Sequence, residues 1–186
     1  MPLIFIISGK AQAGKDTTAN FIKEYALNNN LKTINLQFSS YIKMYAKGIT
    51  NWDGSEDNKP RTLLQSLGED IRTNIDKYFF INRIKEDIIV YSNYFNIITI
   101  SDARLPEELD KIKEFFPKAI KIHIIRPNFN PYKTVEEKNH PTELALDNYQ
   151  KFEYLIENDS TLDNLKMKVN ELLNSLNVKN SNNKYL

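Results

Sequence analysis

Short apolar runs alternate with longer amphipathic stretches along the whole chain. Leu3 to Ile7, Thr33 to Phe38, Ile97 to Ile100, Ala119 to Ile125 and Tyr154 to Ile156 are of strand length. Runs this short, bounded by polar residues, read as buried strands. Between them apolar residues recur at three- and four-residue spacing, which gathers them on one helix face. Thr18, Phe21, Ile22, Tyr25 and Ala26 form such a face, and Asn28 to Asn30 breaks it. Leu64, Leu67, Ile71 and Ile75 mark a helix over Arg61 to Ile75, and Phe80, Ile84, Ile88 and Tyr91 mark another. Pro106 sits near the start of a short helix, because proline suits the first helical turn. Ser160 to Asp163 resembles a capping box. It starts a last helix with Leu162, Leu165, Val169, Leu172, Leu173 and Leu176 in register.

Strand and helix in alternation predict an α/β fold, with a mostly parallel sheet covered on both faces. Two segments break the rhythm. Lys47 to Pro60 is polar and reads as a loop. Pro127 to Pro141 carries three prolines with Lys133, Lys138 and His140. It follows a strand, where α/β proteins place ligand-contacting loops, so residues 127–141 are a lid candidate. No repeat or linker divides the chain. The expectation is one domain over 1–177 and a fraying polar tail over 178–186.

The 186 residues are enough for one sizeable core. A formal net charge of +1 gives no electrostatic case for a nucleic-acid polymer or an anionic membrane. With no cysteine there is neither a disulfide nor a thiolate metal site. No stretch has the length of a membrane span, and the first apolar run is too short for a secretion signal. These features lead to the expectation of a soluble cytoplasmic protein, in the host cytoplasm if a phage encodes it. A homodimer stays open.

The most chemical segment is Gly9-Lys10-Ala11-Gln12-Ala13-Gly14-Lys15, which fits G-x-x-x-x-G-K. It lies between a predicted strand and a predicted helix, as the phosphate-binding loop requires. Gly9 and Gly14 let the backbone curl so that N–H groups around Ala11 and Ala13 point at phosphate oxygens. The following helix adds the positive end of its dipole. Lys15 places an ammonium on the β- and γ-phosphates. The hydroxyl residue that normally follows and ligates Mg²⁺ is replaced by Asp16. Its carboxylate repels phosphate unless a metal or water lies between, and Thr17 is the alternative hydroxyl.

Other candidates sit at predicted strand ends. Asp102 follows the run Ile97 to Ile100 and could serve Mg²⁺ or an acceptor, or simply form a turn. Arg104 could hold a phosphate with its planar fork. Arg126 begins the lid candidate, where a guanidinium can neutralise a transferring phosphoryl group. Arg61 and Gln65 share a helix face, with Arg72 on the same helix. They suit an acceptor's phosphate and base, or a solvated face. His123 falls in a strand and reads as structural. His140 reads as the cap of a helix that begins at Pro141. Two separated histidines do not make a metal site.

Several stretches together resemble the deoxynucleoside monophosphate kinase family of phages and bacteria. They are residues 14–19 (Gly-Lys-Asp-Thr-Thr-Ala), Phe38-Ser39-Ser40 with Lys43, and residues 61–70. Ser101-Asp102-Ala103-Arg104-Leu105-Pro106, His140-Pro141-Thr142-Glu143 and Asn158-Asp159-Ser160-Thr161-Leu162 complete the set. Leu105 stands where the family has Phe, and Ser160 where it has Gly. The resemblance implies a three-layer P-loop fold of the nucleoside monophosphate kinase type, with a lid. It implies transfer of the ATP γ-phosphoryl group to a deoxynucleoside 5′-monophosphate, with Mg²⁺. On that reading Gly9, Ala11, Ala13, Gly14, Lys15, Asp16 and Thr17 hold the donor phosphates, with Asn158 and Ser160 near the adenine. Asp16, Thr17 and Asp102 stand near the metal. Ser39, Lys43, Arg61, Gln65, Asp102 and Arg104 face the acceptor, and Lys15, Arg104 and Arg126 act on the transferred group.

The loop alone also suits a kinase for another phosphorylated metabolite, such as the animal type of phosphomevalonate kinase. It suits a nucleotide-binding regulatory protein as well. A guanine switch is disfavoured, because Asn58-Lys59-Pro60-Arg61 lacks the final Asp of Asn-Lys-x-Asp.

Overall fold

A computed structural model describes residues 1–132 and 134–178 of the chain. Lys133 and the tail beyond Val178 therefore lie outside the described residues. The apolar runs form the strands β1 (Leu3–Ser8), β2 (Thr33–Leu36), β3 (Ile97–Ala103), β4 (Ile120–Ile125) and β5 (Tyr154–Glu157). They pair into one five-stranded sheet in the order β2-β3-β1-β4-β5, with every pair parallel. Parallel neighbours need crossover connections, and the helices α1 (Lys15–Asn28), α2 (Phe38–Ile49), α3 (Arg61–Asp70), α4 (Phe79–Tyr91) and α5 (Pro106–Phe115) provide them. The short helices α6 (Val135–Lys138) and α7 (Pro141–Leu144) precede β5, and α8 (Leu162–Ser175) closes the chain.

The strand pleat sorts the core into two layers. Phe5 and Ile7 point to one face, where Ile22 and Ala26 of α1 meet Leu165, Val169 and Leu173 of α8. Ile4 and Ile6 point to the other, against Ile84 and Ile88 of α4 and Leu109 and Ile112 of α5. Both faces of β1 are dry, since Phe5, Ile6 and Ile7 have no exposed surface. The expected α/β architecture with both faces covered is thus observed.

Several local expectations are corrected. Phe38 does not end β2; it opens α2, which runs through the first part of the expected loop 47–60 as far as Ile49. The helix expected over Arg61 to Ile75 is α3 followed by a wider π-type turn, Ile71–Ile75. Ile75, assigned to its apolar face, is 69% exposed. Thr161, rather than Ser160, caps α8, with its Oγ accepting from the Asn164 N–H at 3.2 Å. Leu162 then falls on the outer face. The segment 127–141 contains the helix α6 and is not loop throughout.

Ile84 is fully buried between α4 and the sheet. Ile84→Ala should therefore lower the unfolding free energy by about 2–5 kcal/mol, read as a lower urea midpoint with an unchanged slope.

Candidate active site

In an open parallel sheet the strand C-termini carry the binding residues, because loops diverge there. Here β1, β3 and β4 are adjacent and deliver the loop after Ser8, the segment Ser101 to Arg104, and Arg126 to one edge. The loop from Gly9 to Gly14 is a tight turn. Gly9 has φ +146°, and a Cβ there would stand 2.5 Å from the Ile124 carbonyl oxygen. Gly14 has φ +111° and is the residue from which α1 starts. Both positions need glycine, because a side chain meets backbone strain as well as a neighbour.

The Lys15 side chain folds back under this turn. Its ammonium donates to the carbonyl oxygens of Gly9 and Lys10, both at 2.8 Å. Burial, helped by the nearby Arg104 charge and opposed by Asp16 and Asp102, lowers its pKa to about 8. The cation is thus held without a full counter-charge, which suits a polyanionic ligand. Asn158 Nδ2 donates to the Ala13 carbonyl oxygen at 2.9 Å. Arg126 Nη1 donates to that of Gln12 at 3.2 Å, and its guanidinium lies 3.7 Å from the centre of the Phe129 ring. Lys15, Arg126 and Asn158 therefore all stand at the loop. Ser160 is exposed in the adjoining turn.

The two carboxylates differ in what they hold. Asp16 is exposed and its Oδ1 accepts from Ser101 Oγ at 2.7 Å and Gln37 Nε2 at 3.1 Å. Asp102 accepts from the Phe38 N–H through Oδ1 and the Ser39 N–H through Oδ2, each at 2.9 Å. It caps α2 from another strand, which explains how that helix starts without a local cap. Desolvation raises the Asp102 pKa, partly offset by the Ser39 and Phe38 N–H groups. Among the described residues no group of three His, Cys, Asp or Glu forms a metal cage. Mg²⁺ does not require one, since it takes one or two carboxylates beside phosphates and water. Asp16, solvent-facing and one residue from Lys15, fits that pattern. Thr17 is half-buried on the same first turn of α1. Asp102 fits it less well, because both oxygens already serve α2.

Arg104 is fixed at both ends. Its backbone N–H donates to Glu108 Oε2 at 2.7 Å, and its Nη1 pairs with Glu143. Burial pushes the Glu108 carboxyl up to about 7, against the Arg104 and Leu105 N–H groups. The remaining acceptor candidates lie on α2 and α3. Lys59 donates to both Glu56 oxygens, at 2.8 and 3.0 Å, and Arg61 Nη2 is 4.0 Å from Oε2. The Lys59 bonds, with the charges of Lys43 and Arg61, hold the Glu56 carboxyl below its usual range. Arg61 thus stands at the edge of the Glu56 carboxylate, with the Lys43 charge acting on it, whereas Gln65 is exposed on α3. Arg72 packs on the Phe80 ring at 5.8 Å.

The histidines behave as read. His123 Nδ1 lies 3.0 Å from Ser8 Oγ and the ring stacks on Phe152 at 4.4 Å. Burial lowers its pKa to about 4, so it is neutral near pH 7. His140 caps α7, with Nδ1 accepting from the Thr142 N–H at 3.3 Å. Ser101, Gln37 and Glu143 were missed as site residues. Ser101 ends the same apolar run that drew attention to Asp102, so the same signal was available. Glu143 stands in the His140-Pro141-Thr142-Glu143 stretch that supports the resemblance, so that signal was available for it, whereas Gln37 becomes a neighbour of the site only through the fold.

A family model described as deoxynucleotide monophosphate kinase matches residues 37–169. Its span starts beyond the phosphate loop and covers more than half of the chain. No curated protein matches the chain significantly. Among solved structures, the APS kinase of Mycobacterium tuberculosis in complex with AMPPNP and APS is similar, with a TM-score of 0.57 and 12% identity. That match covers 93% of this chain and 98% of that one. The shikimate kinase of Aquifex aeolicus has a TM-score of 0.52 and 14% identity, covering 94% and 96%. A sugar kinase from Janibacter sp. has a TM-score of 0.56 and 13% identity, covering 96% of each chain. At these identities the likeness is one of fold.

The lowered Lys15 pKa sets a pH dependence for triphosphate binding. A bound polyphosphate favours the charged ammonium, so below about 8 affinity for a non-hydrolysable ATP analogue should be flat with respect to Lys15. Above that pH binding must take up a proton, and affinity should fall by up to about tenfold per pH unit. Calorimetry on the wild type and Lys15→Ala checks this, because the variant should lose the alkaline fall.

Proposed function

The chain belongs to the deoxynucleotide monophosphate kinase family, and from that premise we propose how its residues carry the transfer of the ATP γ-phosphoryl group to a deoxynucleoside 5′-monophosphate. The observation that carries the reading is the meeting of the loop, Lys15, Asp16, Arg104 and Arg126 at one edge of the sheet. Phosphoryl transfer asks for in-line positioning and charge neutralisation rather than a covalent nucleophile, and these groups supply both.

The donor lies along the loop. The N-terminus of α1 faces its phosphates, whereas the Ala11 and Ala13 N–H groups, expected to do so, are taken by Glu143 and by the Lys10 carbonyl. Lys15 exchanges the Gly9 and Lys10 carbonyls for phosphate oxygens, which relieves the desolvation that lowers its pKa. The turn at Asn158 to Ser160 adjoins the loop and borders the adenine. The acceptor enters from the α2–α3 side, where Ser39, Lys43, Arg61, Gln65, Asp102 and Arg104 form the candidate surface. Asp102 acts there by fixing the start of α2. An acceptor phosphate oxygen attacks the γ-phosphorus as its bond to the ADP oxygen breaks, and Arg104 and Arg126 balance the charge spread over the equatorial oxygens. Asp16 with Thr17 would hold Mg²⁺, which would supply further neutralisation of phosphate charge. Residues 127–141 act as the lid on one domain spanning 1–177. In the described residues no helix is long and apolar enough to cross a membrane.

A kinase for another phosphorylated metabolite shared only the loop with this chain, whereas the family match rests on residues 37–169. Incubating the protein with ATP, Mg²⁺ and each deoxynucleoside monophosphate in turn should yield at least one diphosphate. Lys15→Ala should lower kcat by about 100- to 1000-fold while circular dichroism stays unchanged. No diphosphate from any acceptor would reject the acceptor class, and wild-type turnover by Lys15→Ala would reject the site. In the same assay Asp16→Ser should shift the preference among Mg²⁺, Mn²⁺ and Ca²⁺, and an unchanged preference would make Asp16 structural.

A further inference from the structure

Glu143 is a buried charge that the mechanism above leaves without a role. It lies on α7, and its side chain is 7% exposed. Three separate parts of the chain meet its two carboxylate oxygens. Oε2 accepts from the backbone N–H of Ala11 in the phosphate loop at 2.9 Å and from the Tyr132 hydroxyl at 2.6 Å. Oε1 pairs with Arg104 Nη1. Burying a carboxylate costs several kcal/mol unless its lone pairs are filled. Here they are filled by groups from the donor loop, the lid candidate and the segment carrying Arg104, and not by the core. The short helix that presents Glu143 is itself pinned, by His140 at its cap and Pro141 at its first position.

The consequence for Arg104 follows from its two anchors. Glu108 holds its backbone N–H, which places the Cα. The long side chain beyond is about one-third exposed, and without a partner it would lose several rotatable bonds' worth of order. Glu143 is the partner that aims its fork. The Ala11 bond ties the same carboxylate to the loop, so loop and guanidinium move together.

We propose that Glu143 is a positioning residue for phosphoryl transfer. It holds the Arg104 guanidinium at a fixed place relative to the phosphate loop, and it joins the lid residue Tyr132 to that frame. It touches no transferred atom. The inference rests on the phosphotransferase reading. A merely structural ion pair would instead alter stability and leave kinetics alone.

The test uses E143Q, E143D, R104A and the double variant E143Q/R104A, with ATP and an acceptor that the wild type phosphorylates. E143Q keeps the size of the side chain and loses the charge. It should lower kcat/KM for the acceptor by about 10- to 100-fold, the scale of a misplaced group, while the ATP Kd changes less than about threefold. E143D should recover part of the loss. If Glu143 acts through Arg104, adding E143Q to R104A should cost at most about twofold more, as coupled residues are not additive. E143Q with wild-type kcat and KM and only a lower Tm would overturn the proposal, as would losses that multiply in the double variant. Side-chain NMR of Arg104 gives a readout independent of turnover. Rotation of its Nη groups should be hindered in the wild type and free in E143Q, and free rotation in both overturns the proposal. A wild type that phosphorylates no acceptor counts against the proposed function, and Arg104 hindered only in the wild type would then still support the tether.

Discussion

The turn between β1 and α1 is the constraint on which the site depends. Four of its carbonyl groups are taken up by side chains. Lys15 takes those of Gly9 and Lys10, Arg126 that of Gln12, and Asn158 that of Ala13. Glu143 takes the Ala11 N–H. The donors come from α1, from the end of β4 and from the turn after β5, and the one acceptor from α7. A turn with two glycines at positive φ would otherwise sample many shapes. Side-chain bonds from four directions leave it one, and the parallel order β3-β1-β4 makes those directions available.

Charge follows the same plan. The buried Lys15 is held by neutral carbonyls and balanced only partly by Asp16 and Asp102, so it remains ready for an anion. Asp102 is committed to α2, and Asp16 faces solvent beside the loop. One aspartate therefore fixes the start of α2, and the other faces solvent, where on the proposed function it is open to a cation. On the proposed function this division accounts for a carboxylate after the loop lysine, a place where it would repel phosphate if no cation lay between.

The legible part of the molecule was the part fixed by local pattern. The isoleucine-rich runs are dry on both faces of the sheet, so they stood out without periodicity, and the loop carries its glycines and lysine within seven residues. What was missed depends on partners distant in sequence. Helix α2 was hidden because its first residue, Phe38, continues the apolar run of β2, and because its cap, Asp102, comes from β3. Only Phe38 and Ala46 of that helix are buried, which weakened its face. Ile75 and Leu162 kept helical spacing but fell outside the packed face, since the chain leaves α-geometry at Ile71 and Thr161 moves the start of α8. In the site, Lys15 and Asp16 of the loop motif lie at the same sheet edge as Arg104 and Arg126, singled out at strand ends, and Asn158, named by the resemblance. Gln37 reaches it through contacts that no local spacing announces, and Glu143, though part of a stretch that carries the resemblance, reaches it through contacts with Ala11, Tyr132 and Arg104 that are distant in sequence.

The most direct test follows the phosphoryl group itself. In a single turnover with γ-labelled ATP, Mg²⁺ and an accepted deoxynucleoside monophosphate, all label lost from ATP should appear in the β-position of the deoxynucleoside diphosphate. One ADP should form per label transferred. Label released as inorganic phosphate, or retained in ATP bound at the loop, would contradict the account.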